Sequence, residues 1–572
     1  MTTLLANSKK VQFSGKAKEI TASAHFRLMI LLLVFLAAFT IIVGRLVSLT
    51  ILEDAVPYRT SSSAFIPPRG DIVDRNGVPL ARTMRGYAVR VVPARLLGDK
   101  EVLARQLSSI FPDTSAKAFL EKLRGSHPTY LRRRALPEQV KQVHALGEIG
   151  IEFPREDERL YPQRELAAHV LGYVDADGKG VMGMERALND RLLDKTLRAT
   201  ATTLSIDSRA QAALESELQD AMLMTQARGA AGIILDVQTG EVMALASLPM
   251  FDPNKIRRAT MKHQNNEVTQ SVFELGSTFK PLTIAAALDA GTVTDLAVRY
   301  NAMEPIKIGG FTIKDDHSQG RYLNVPETLV HSSNIVTARI ADNLGQEAME
   351  NMFRRLGFDE RPHIELFERG QPLWPRNWGR VTNMTVAYGH GIAVTPLHLA
   401  SAYAALVNGG IWRPATLLKV EPGKEAKGRR VFKAATSARM RQLLRMIVSD
   451  GTGRKADAPG FRIGGKTGSA EKPSEGGYNK TSLVSTFAAA FPMDNPRYVV
   501  IAMLDEPKGT AETSFQRTAG WTAAPVVRKV VQRVGPMLGV IPDEHRDVDV
   551  SELTPLLWKP KATSDEQSNA TE

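Results

Sequence analysis

A serine and a lysine three residues apart stand at the start of an apolar segment that predicts a helix. The tetrapeptide STFK, from Ser277 to Lys280, runs directly into PLTIAAAL. If the helix begins near the serine, this spacing places the Lys280 amine on the same face as Ser277 Oγ. A serine hydroxyl is a weak nucleophile until a base takes its proton, and a lysine among apolar side chains has a lowered pKa that suits it to this task. The pair predicts a serine nucleophile with a lysine base.

A second SxxK spacing occurs at Ser469 to Lys472, so the spacing alone does not select the nucleophile. About one or two matches are expected by chance in a chain of this length and ordinary composition. Pro473, Gly476 and Gly477 follow the second copy and disfavour a helix that would hold its serine and lysine together. The nucleophile is therefore assigned to Ser277.

Ser332-Ser333-Asn334 places a hydroxyl and an amide two residues apart. In a cleft, Ser332 can relay a proton while Asn334 binds a substrate amide. By itself such a tripeptide is most often a helix cap or a solvated turn. The tripeptide indicates a catalytic site here only because the SxxK motif precedes it and the Lys466-Thr467-Gly468 motif follows it.

Lys466-Thr467-Gly468-Ser469 follows FRIGG, which predicts a strand whose glycines admit a closely lying backbone. A cation and two hydroxyls suit a substrate carboxylate, and a backbone N–H nearby can stabilise an oxyanion. The three motifs together predict an acyl-transfer site.

The order SxxK, SxN, KTG is the signature of penicillin-binding proteins and serine β-lactamases, whose middle element is usually SDN. Three segments resemble the catalytic region of division-specific class B penicillin-binding proteins: VFELGSTFKPLTI (272–284), YGHGIAVTPLHLA (388–400) and GTG (451–453). Leu275 departs from the proline that this family often has at that position.

Three earlier segments are similar to the same family's non-catalytic pedestal domain. They are RGDIVDRNGVPLA (69–81), RLYP (159–162) and GVMGMER (180–186). The resemblance thus extends from the apolar N-terminal segment to about residue 540. It implies an α+β fold in which a transpeptidase domain, an antiparallel sheet flanked by helices, follows a mixed α/β pedestal.

The resemblance also implies a reaction. Ser277 would attack the penultimate D-alanine carbonyl of a peptidoglycan stem peptide, release the terminal D-alanine and pass the acyl group to an amine on a neighbouring strand. β-Lactams would acylate the same serine. Lys280 would be the base, with Ser332 and Asn334 assisting. The substrate carboxylate would bind to Lys466, Thr467, Gly468 and Ser469, and backbone N–H groups of Ser277 and Ser469 would donate to the oxyanion.

An apolar run near the N-terminus predicts the membrane anchor of such an enzyme. Residues 28–44 are uncharged, and continuation to residue 52, with Arg45 snorkelling, gives a span of adequate length. Basic residues dominate before the run, so the N-terminus is expected in the cytoplasm and the rest outside. A cleaved signal peptide is the alternative, but its apolar core is usually only about 7 to 15 residues long.

The expected organisation is a cytoplasmic tail, an anchor, a pedestal, a transpeptidase domain and a polar, disordered tail. Two hairpins are predicted, one around Asn76-Gly77 and one within Ala230 to Ser247. The five segments are, in order, 1–27, 28–52, 53–202, 203–545 and 546–572.

Composition excludes several other functions. The chain has no cysteine, which rules out disulfides and thiol catalysis, and none of its 11 histidines lies in an HExxH arrangement. A net charge of +12 accompanies no nucleic-acid-binding pattern and fits an anionic membrane or wall. We expect no cofactor, no metal and no nucleic acid partner.

By resemblance, the partners are stem peptides, β-lactams, a multi-pass glycan polymerase and other division proteins. An elongation-specific transpeptidase of the same class is the nearest alternative, since SSN and VFELGST only favour division. A non-catalytic division scaffold is an alternative from outside enzymology.

Two other enzyme classes, ATPases and class A β-lactamases, are each suggested by local sequence matches. Residues 460–467 fit the phosphate-binding loop GxxxxGK[ST], and YVVIAMLDE (498–506) resembles a strand that ends in Mg²⁺-binding acids. A P-loop must open a helix, however, which Gly468 and Pro473 disfavour. Glu185 mimics the water-activating glutamate of class A β-lactamases but precedes Ser277, so transfer is favoured over hydrolysis.

Overall fold

The computed structural model describes residues 15–47, 68–258, 261–474 and 477–558. The helices are α1 (Gly15–Val47), α2 (Lys100–Ile110), α3 (Ala116–Leu123), α4 (Pro137–His144), α5 (Ala168–Leu171), α6 (Gly183–Ala187), α7 (Asn189–Leu193), α8 (Ser208–Met224), α9 (Met261–Gln264), α10 (Lys280–Asp289), α11 (Val325–Val330), α12 (Asn334–Leu344), α13 (Gln346–Arg355), α14 (Arg380–Val386), α15 (Pro396–Val407), α16 (Ala434–Asp450) and α17 (Ala523–Met537). The strands are β1 (Ile72–Val73), β2 (Pro79–Val91), β3 (Thr129–Ala135), β4 (Ile151–Glu152), β5 (Arg155–Leu160), β6 (Thr202–Thr203), β7 (Gly229–Asp236), β8 (Val242–Leu248), β9 (Ile306–Ile308), β10 (Phe311–Ile313), β11 (Ile411–Trp412), β12 (Arg429–Arg430), β13 (Gly464–Ser474), β14 (Gly477–Phe491) and β15 (Tyr498–Asp505).

Helix α1 belongs to a unit of its own that ends at Ile66. Its stretch Phe26–Val43 has a mean hydropathy of 2.8, and none of it is buried by protein. A helix of this length and composition can cross a membrane. Helix α1 contains the predicted anchor as far as Val47 and begins earlier, within the predicted cytoplasmic tail. Residues 1–14 of that tail and residues 48–52 of the anchor lie outside the described residues.

A six-stranded mixed sheet forms the first part of the second unit. The predicted hairpin at Asn76-Gly77 is present, since β1 pairs antiparallel with β2 and Gly77 has a φ of +86° in the turn. Glycine adopts this conformation without the steric cost that a side chain would add. Strand β6 pairs parallel with β1 and so returns the chain to the same sheet.

A buried ionic cluster joins the three segments that resemble the pedestal domain. Glu185 is fully buried, with Oε2 2.7 Å from Arg69 Nε and Oε1 2.6 Å from Arg159 Nε. Arg69 also donates to the Glu185 carbonyl and to Asn189 Oδ1. Because removal of one member would leave a buried charge unpaired, the cluster holds these segments in one arrangement.

The second sheet has five antiparallel strands in the order β13-β14-β15-β7-β8. Strands β7 and β8 are the second predicted hairpin, and Gly240 in their turn has a φ of +79°. Alternate residues of β7 enter two cores. Ile233 joins the cluster that contains Tyr403 of α15, whereas Ile234 joins the cluster that contains Leu214 of α8. Helices therefore cover both faces, as predicted for an antiparallel sheet flanked by helices.

The two predicted domains share a core. From Pro67 onwards the chain forms one compact unit, and Ile72 and Leu80 belong to the same apolar cluster as Leu204 and Leu235. The predicted boundary at residues 202 and 203 falls inside β6, where the chain leaves the first sheet.

The C-terminal segment differs from the expected disordered tail that begins at residue 546. Arg445 binds Asp547 at 2.8 Å, Leu553 is 2% exposed, and Trp558 N donates to Glu327 Oε1 at 2.8 Å. Val548 and Leu556 pack against the core between these contacts, so spaced apolar residues hold an otherwise polar segment. The correction applies to residues 546–558, because 559–572 lie outside the described residues.

Candidate active site

The predicted nucleophile lies in a tight turn at the start of α10. Gly276–Phe279 forms a 3₁₀ turn, and α10 begins at Lys280. Side chains at i and i+3 align in such a turn, so Ser277 and Lys280 lie on the same side, as the spacing predicts. Ser277 is half-buried, whereas Lys280 is fully buried. Tyr403 on α15 supports the turn by donating from its hydroxyl to Thr278 O at 2.8 Å.

Glycines allow three backbone segments to meet at this turn. A Cβ on Gly468 of β13 would lie 2.4 Å from Leu275 O, and a Cβ on Gly389 would lie 2.2 Å from Gly276 O. Gly276 itself has a φ of +54°. Since real Cβ atoms do not approach backbone so closely, these positions require glycine for the turn to touch β13 and the 388–391 loop.

Ser332 is the point at which the three motifs meet. It lies between α11 and α12 with a φ of +61°, an uncommon backbone conformation for serine. Lys280 Nζ donates to Ser332 O at 2.5 Å and to Ser332 Oγ at 3.0 Å. Lys466 Nζ from β13 donates to the same Oγ at 3.0 Å. Lys280 is thus hydrogen-bonded to Ser332 rather than to Ser277 in this structure.

Burial lowers the pKa of both lysines. Desolvation lowers the pKa of Lys280 to about 7, against an opposing effect of Asp315 and Asp316. Desolvation also holds the pKa of Lys466 well below its ordinary value, and the neighbouring Lys280 lowers it further. A lysine with a pKa near neutrality is in part unprotonated at physiological pH and can accept a proton.

An aspartate that the sequence did not single out holds the SxN motif. Asp315 Oδ2 accepts from Ser333 Oγ at 2.7 Å, and Oδ1 accepts from Asn334 N at 2.6 Å. Asn334 Nδ2 donates to Lys314 O at 3.0 Å. This contact could not be predicted, because charged segments such as KDDH are common and no spacing links Asp315 to Ser333 and Asn334, which lie 18 and 19 residues later.

Strand β13 places the KTG segment along the edge of its sheet. Thr467 Oγ1 lies 2.8 Å from Oγ1 of Thr452 in the GTG segment, and Ser469 Oγ accepts from Ala519 N at 3.0 Å. Alternate N–H groups of an edge strand point away from the sheet, where they can receive a substrate backbone or an oxyanion.

The motifs that suggest another nucleophile or another enzyme class adopt structures that do not suit those functions. The second SxxK copy lies on β13, and Lys472 pairs with Asp505 at 2.5 Å and Glu506 at 2.9 Å. The phosphate-loop match also leads into β13 rather than into a helix, so the geometry of an ATP-binding loop is not formed. Glu185 is held between two arginines in the buried ionic cluster. Among the described residues, no group of three or more acidic or histidine side chains is arranged to hold a metal ion.

Family models match two parts of the chain. Residues 230–532 match the "Penicillin binding protein transpeptidase domain", and residues 65–196 match the "Penicillin-binding Protein dimerisation domain". These parts correspond to the second sheet with its helices and to the mixed sheet before it.

Related proteins match most of the chain. The "Probable peptidoglycan D,D-transpeptidase FtsI" of Caulobacter vibrioides is 42% identical over 482 residues, 82% of each chain. The "Peptidoglycan D,D-transpeptidase FtsI" of Escherichia coli K12 is 28% identical and covers 85% of this chain and 86% of its own. The crystal structure of penicillin binding protein 3 from Mycobacterium tuberculosis with aztreonam has a TM-score of 0.66 at 26% identity, covering 83% of this chain and 97% of that one.

Proposed function

The chain belongs to the penicillin-binding protein family, as a class B member of the FtsI type, and on this premise we propose that Ser277 is its acyl-carrying residue. The protein is a peptidoglycan D,D-transpeptidase, the activity with which its relatives are named, and their designation FtsI supports a role at the division septum. The observation that supports our residue assignment most strongly is the convergence of Lys280 and Lys466 on Ser332 Oγ beside the Ser277 turn.

Acylation follows from the arrangement of these groups. Neutral Lys280 takes the proton of Ser277 as Oγ attacks the penultimate D-alanine carbonyl. The oxyanion receives hydrogen bonds from the backbone N–H groups of Ser277 and Ser469, and loss of one such donor typically raises the barrier by about 3 to 4 kcal/mol. The proton that Lys280 took from Ser277 passes through Ser332 Oγ to the departing nitrogen, the C–N bond breaks, and the terminal D-alanine leaves.

Transfer reverses the proton movements. An amine of a second stem peptide attacks the acyl-enzyme carbonyl, loses its proton to Lys280 through Ser332, and forms the cross-link as Ser277 Oγ departs and is reprotonated. Lys466, Thr467 and Gly468 hold the terminal carboxylate of the donor, while Asn334 binds a peptide amide. β-Lactams acylate the same serine, since their amide occupies the position of the scissile bond.

Helix α1 is proposed to anchor the protein in the inner membrane by a single pass. Lys9, Lys10, Lys16 and Arg27 precede or begin the apolar stretch, a bias that keeps the N-terminus in the cytoplasm. The catalytic part is then periplasmic, where its substrate lies. A multi-pass glycan polymerase and other division proteins are the proposed partners, because the matched domains are a dimerisation and a transpeptidase domain and a transpeptidase acts on glycan strands that a polymerase supplies.

The residue assignment is tested by locating the adduct. After incubation with a penicillin, digestion and mass spectrometry of the full-length protein are expected to place the penicilloyl mass on the peptide that contains Ser277. An adduct on the peptide that contains Ser469 would overturn it, because the serine of the second SxxK copy would then be the nucleophile.

The septal role is tested by depletion. Cells that lose this protein are expected to continue elongating without dividing and to form filaments, which phase-contrast microscopy measures as cell length. Rounded cells of unchanged division frequency would instead indicate an elongation-specific transpeptidase of the same class.

A further inference from the structure

The segment Lys314–Asp316 after β10 makes four hydrogen bonds with the SxN motif and the first turn of α12. Three of them converge on Asp315, whose Oδ2 accepts from Ser333 Oγ at 2.7 Å and whose Oδ1 accepts from Asn334 N at 2.6 Å and Ile335 N at 2.9 Å. The fourth runs from Asn334 Nδ2 to Lys314 O. Short hydrogen bonds to a carboxylate are stronger than neutral ones and fix geometry as well as position. We call this set of contacts the Asp315 clamp.

The clamp lies directly beside a residue whose backbone needs support. Ser332 precedes Ser333 in the chain and has a φ of +61°, a conformation that persists only when its surroundings impose it. The same residue supplies both acceptors of Lys280 and one acceptor of Lys466. A change in the orientation of Ser333 would therefore move Ser332 Oγ away from one lysine or both.

We propose that Asp315 is a positioning residue for acylation: through Ser333 and the start of α12 it holds Ser332 Oγ between the two lysines. This inference rests on the proposed function, in which Ser332 relays protons. Asp315 does not touch the reacting atoms in this scheme and acts through its neighbours. Displacement of about 1 Å at a reacting group can cost about a hundredfold in rate.

Asp315 has a second, separable effect through its charge. The groups whose charges act on the pKa of Lys280 are Asp315 and Asp316 after β10. Lys280 itself lowers the pKa of Lys466 on β13 and of His390 in the loop after α14, both of which face it. The two aspartates favour the protonated lysine, so loss of either charge lowers the pKa of Lys280 further. Among the described contacts, Asp316 makes no hydrogen bond to the SxN motif, and it therefore shares the charge effect without the clamp.

Three single variants separate the clamp from the charge. Asp315→Ala removes both, Asp316→Asn removes charge alone, and Ser333→Ala removes the Ser333 hydrogen bond of the clamp while it leaves both carboxylates. For each, the second-order rate constant of acylation by a fluorescent penicillin is measured against pH with full-length protein in detergent. Thermal denaturation followed by circular dichroism confirms that each variant is folded at the assay temperature.

The rate on the high-pH plateau is expected to fall by about ten- to a hundredfold in Asp315→Ala and Ser333→Ala and to change less than about twofold in Asp316→Asn. The pH midpoint is expected to move to lower pH in both aspartate variants and to remain in place in Ser333→Ala. If Asp315 had a purely structural role, its replacement would lower the melting temperature. The plateau rate and the pH midpoint would then not change separately in the three variants.

A wild-type plateau in folded Asp315→Ala, or equal plateaus in the two aspartate variants, would overturn the positioning role. If Asp315→Ala does not fold, the plateau of Ser333→Ala decides, and a wild-type value there overturns it. Absence of acylation in the wild-type protein at every pH would instead contradict the proposed function.

Discussion

Replacement of Ser277 by alanine is expected to abolish covalent labelling by a fluorescent penicillin. The hydroxyl is the atom that forms the ester. The other hydroxyl within reach of Lys280, Ser332 Oγ, is held between Lys280 and Lys466 and serves as the proton relay in the proposed mechanism. Ser277 is half-buried at the beginning of α10, and its turn is held by Tyr403 and by contact with β13 rather than by its own side chain. The variant should therefore melt within a few degrees of the wild type while it shows no labelled band on a denaturing gel.

Ser449→Ala is the matched control for this result. Ser449 is exposed near the end of α16, and its hydroxyl contacts only Asp450 and Met446 of the same helix. The control should label as the wild type does. A labelled band that persists in folded Ser277→Ala, with the adduct mapped to another serine, would show that the nucleophile has been assigned wrongly.

Lys280→Met is expected to lower the rate of penicillin acylation by about 10² to 10⁴, the usual contribution of a positioned general base. Methionine is unbranched and apolar, so it suits this fully buried position while it removes the amine. Stopped-flow or gel-based measurement of the acylation rate constant at pH 8 gives the result directly.

Lys472→Met tests the other SxxK copy with the same exchange. Lys472 pairs with Asp505 and Glu506, so its loss should change the acylation rate less than about twofold. If the two methionine variants were equally impaired, the effect would not arise from general-base catalysis at Lys280.

The pH dependence of wild-type acylation provides a second measure of Lys280. Its pKa is lowered to about 7, and only the neutral amine can accept the proton of Ser277. The rate should therefore rise with pH through a midpoint near 7 and fall as the lysine becomes protonated below it. A profile that stays flat between pH 6 and 8 would contradict this role.

Much of the catalytic site is local in sequence, which explains why it could be predicted. Ser277 and Lys280 are one turn apart, so their alignment follows from backbone geometry alone. The glycines and proline after Ser469 identified the second copy as non-helical because their conformational limits are also local. The hairpins at Gly77 and Gly240 follow from turn chemistry in the same way.

The features that escaped prediction depend on contacts between distant segments. Asp315 reaches the SxN motif only because β9 and β10 return the chain to the start of α12. Trp558 meets Glu327 on α11 across 231 residues, a pairing to which no periodicity points. The segment before Trp558 was assigned to a disordered tail because its apolar residues are too widely spaced to form a continuous pattern.

The buried carboxylate of Glu185 imposes an order on folding. Arg69 is synthesised long before Glu185, 116 residues later in the chain, so its charge must remain solvated while the intervening strands emerge. Strand β6, which completes the sheet beside β1, emerges later still. Closure of such distant contacts is slow relative to helix formation, because a long loop must lose its entropy before any contact compensates. The part of the chain that carries the mixed sheet therefore reaches its final form only after the beginning of the catalytic part has been synthesised.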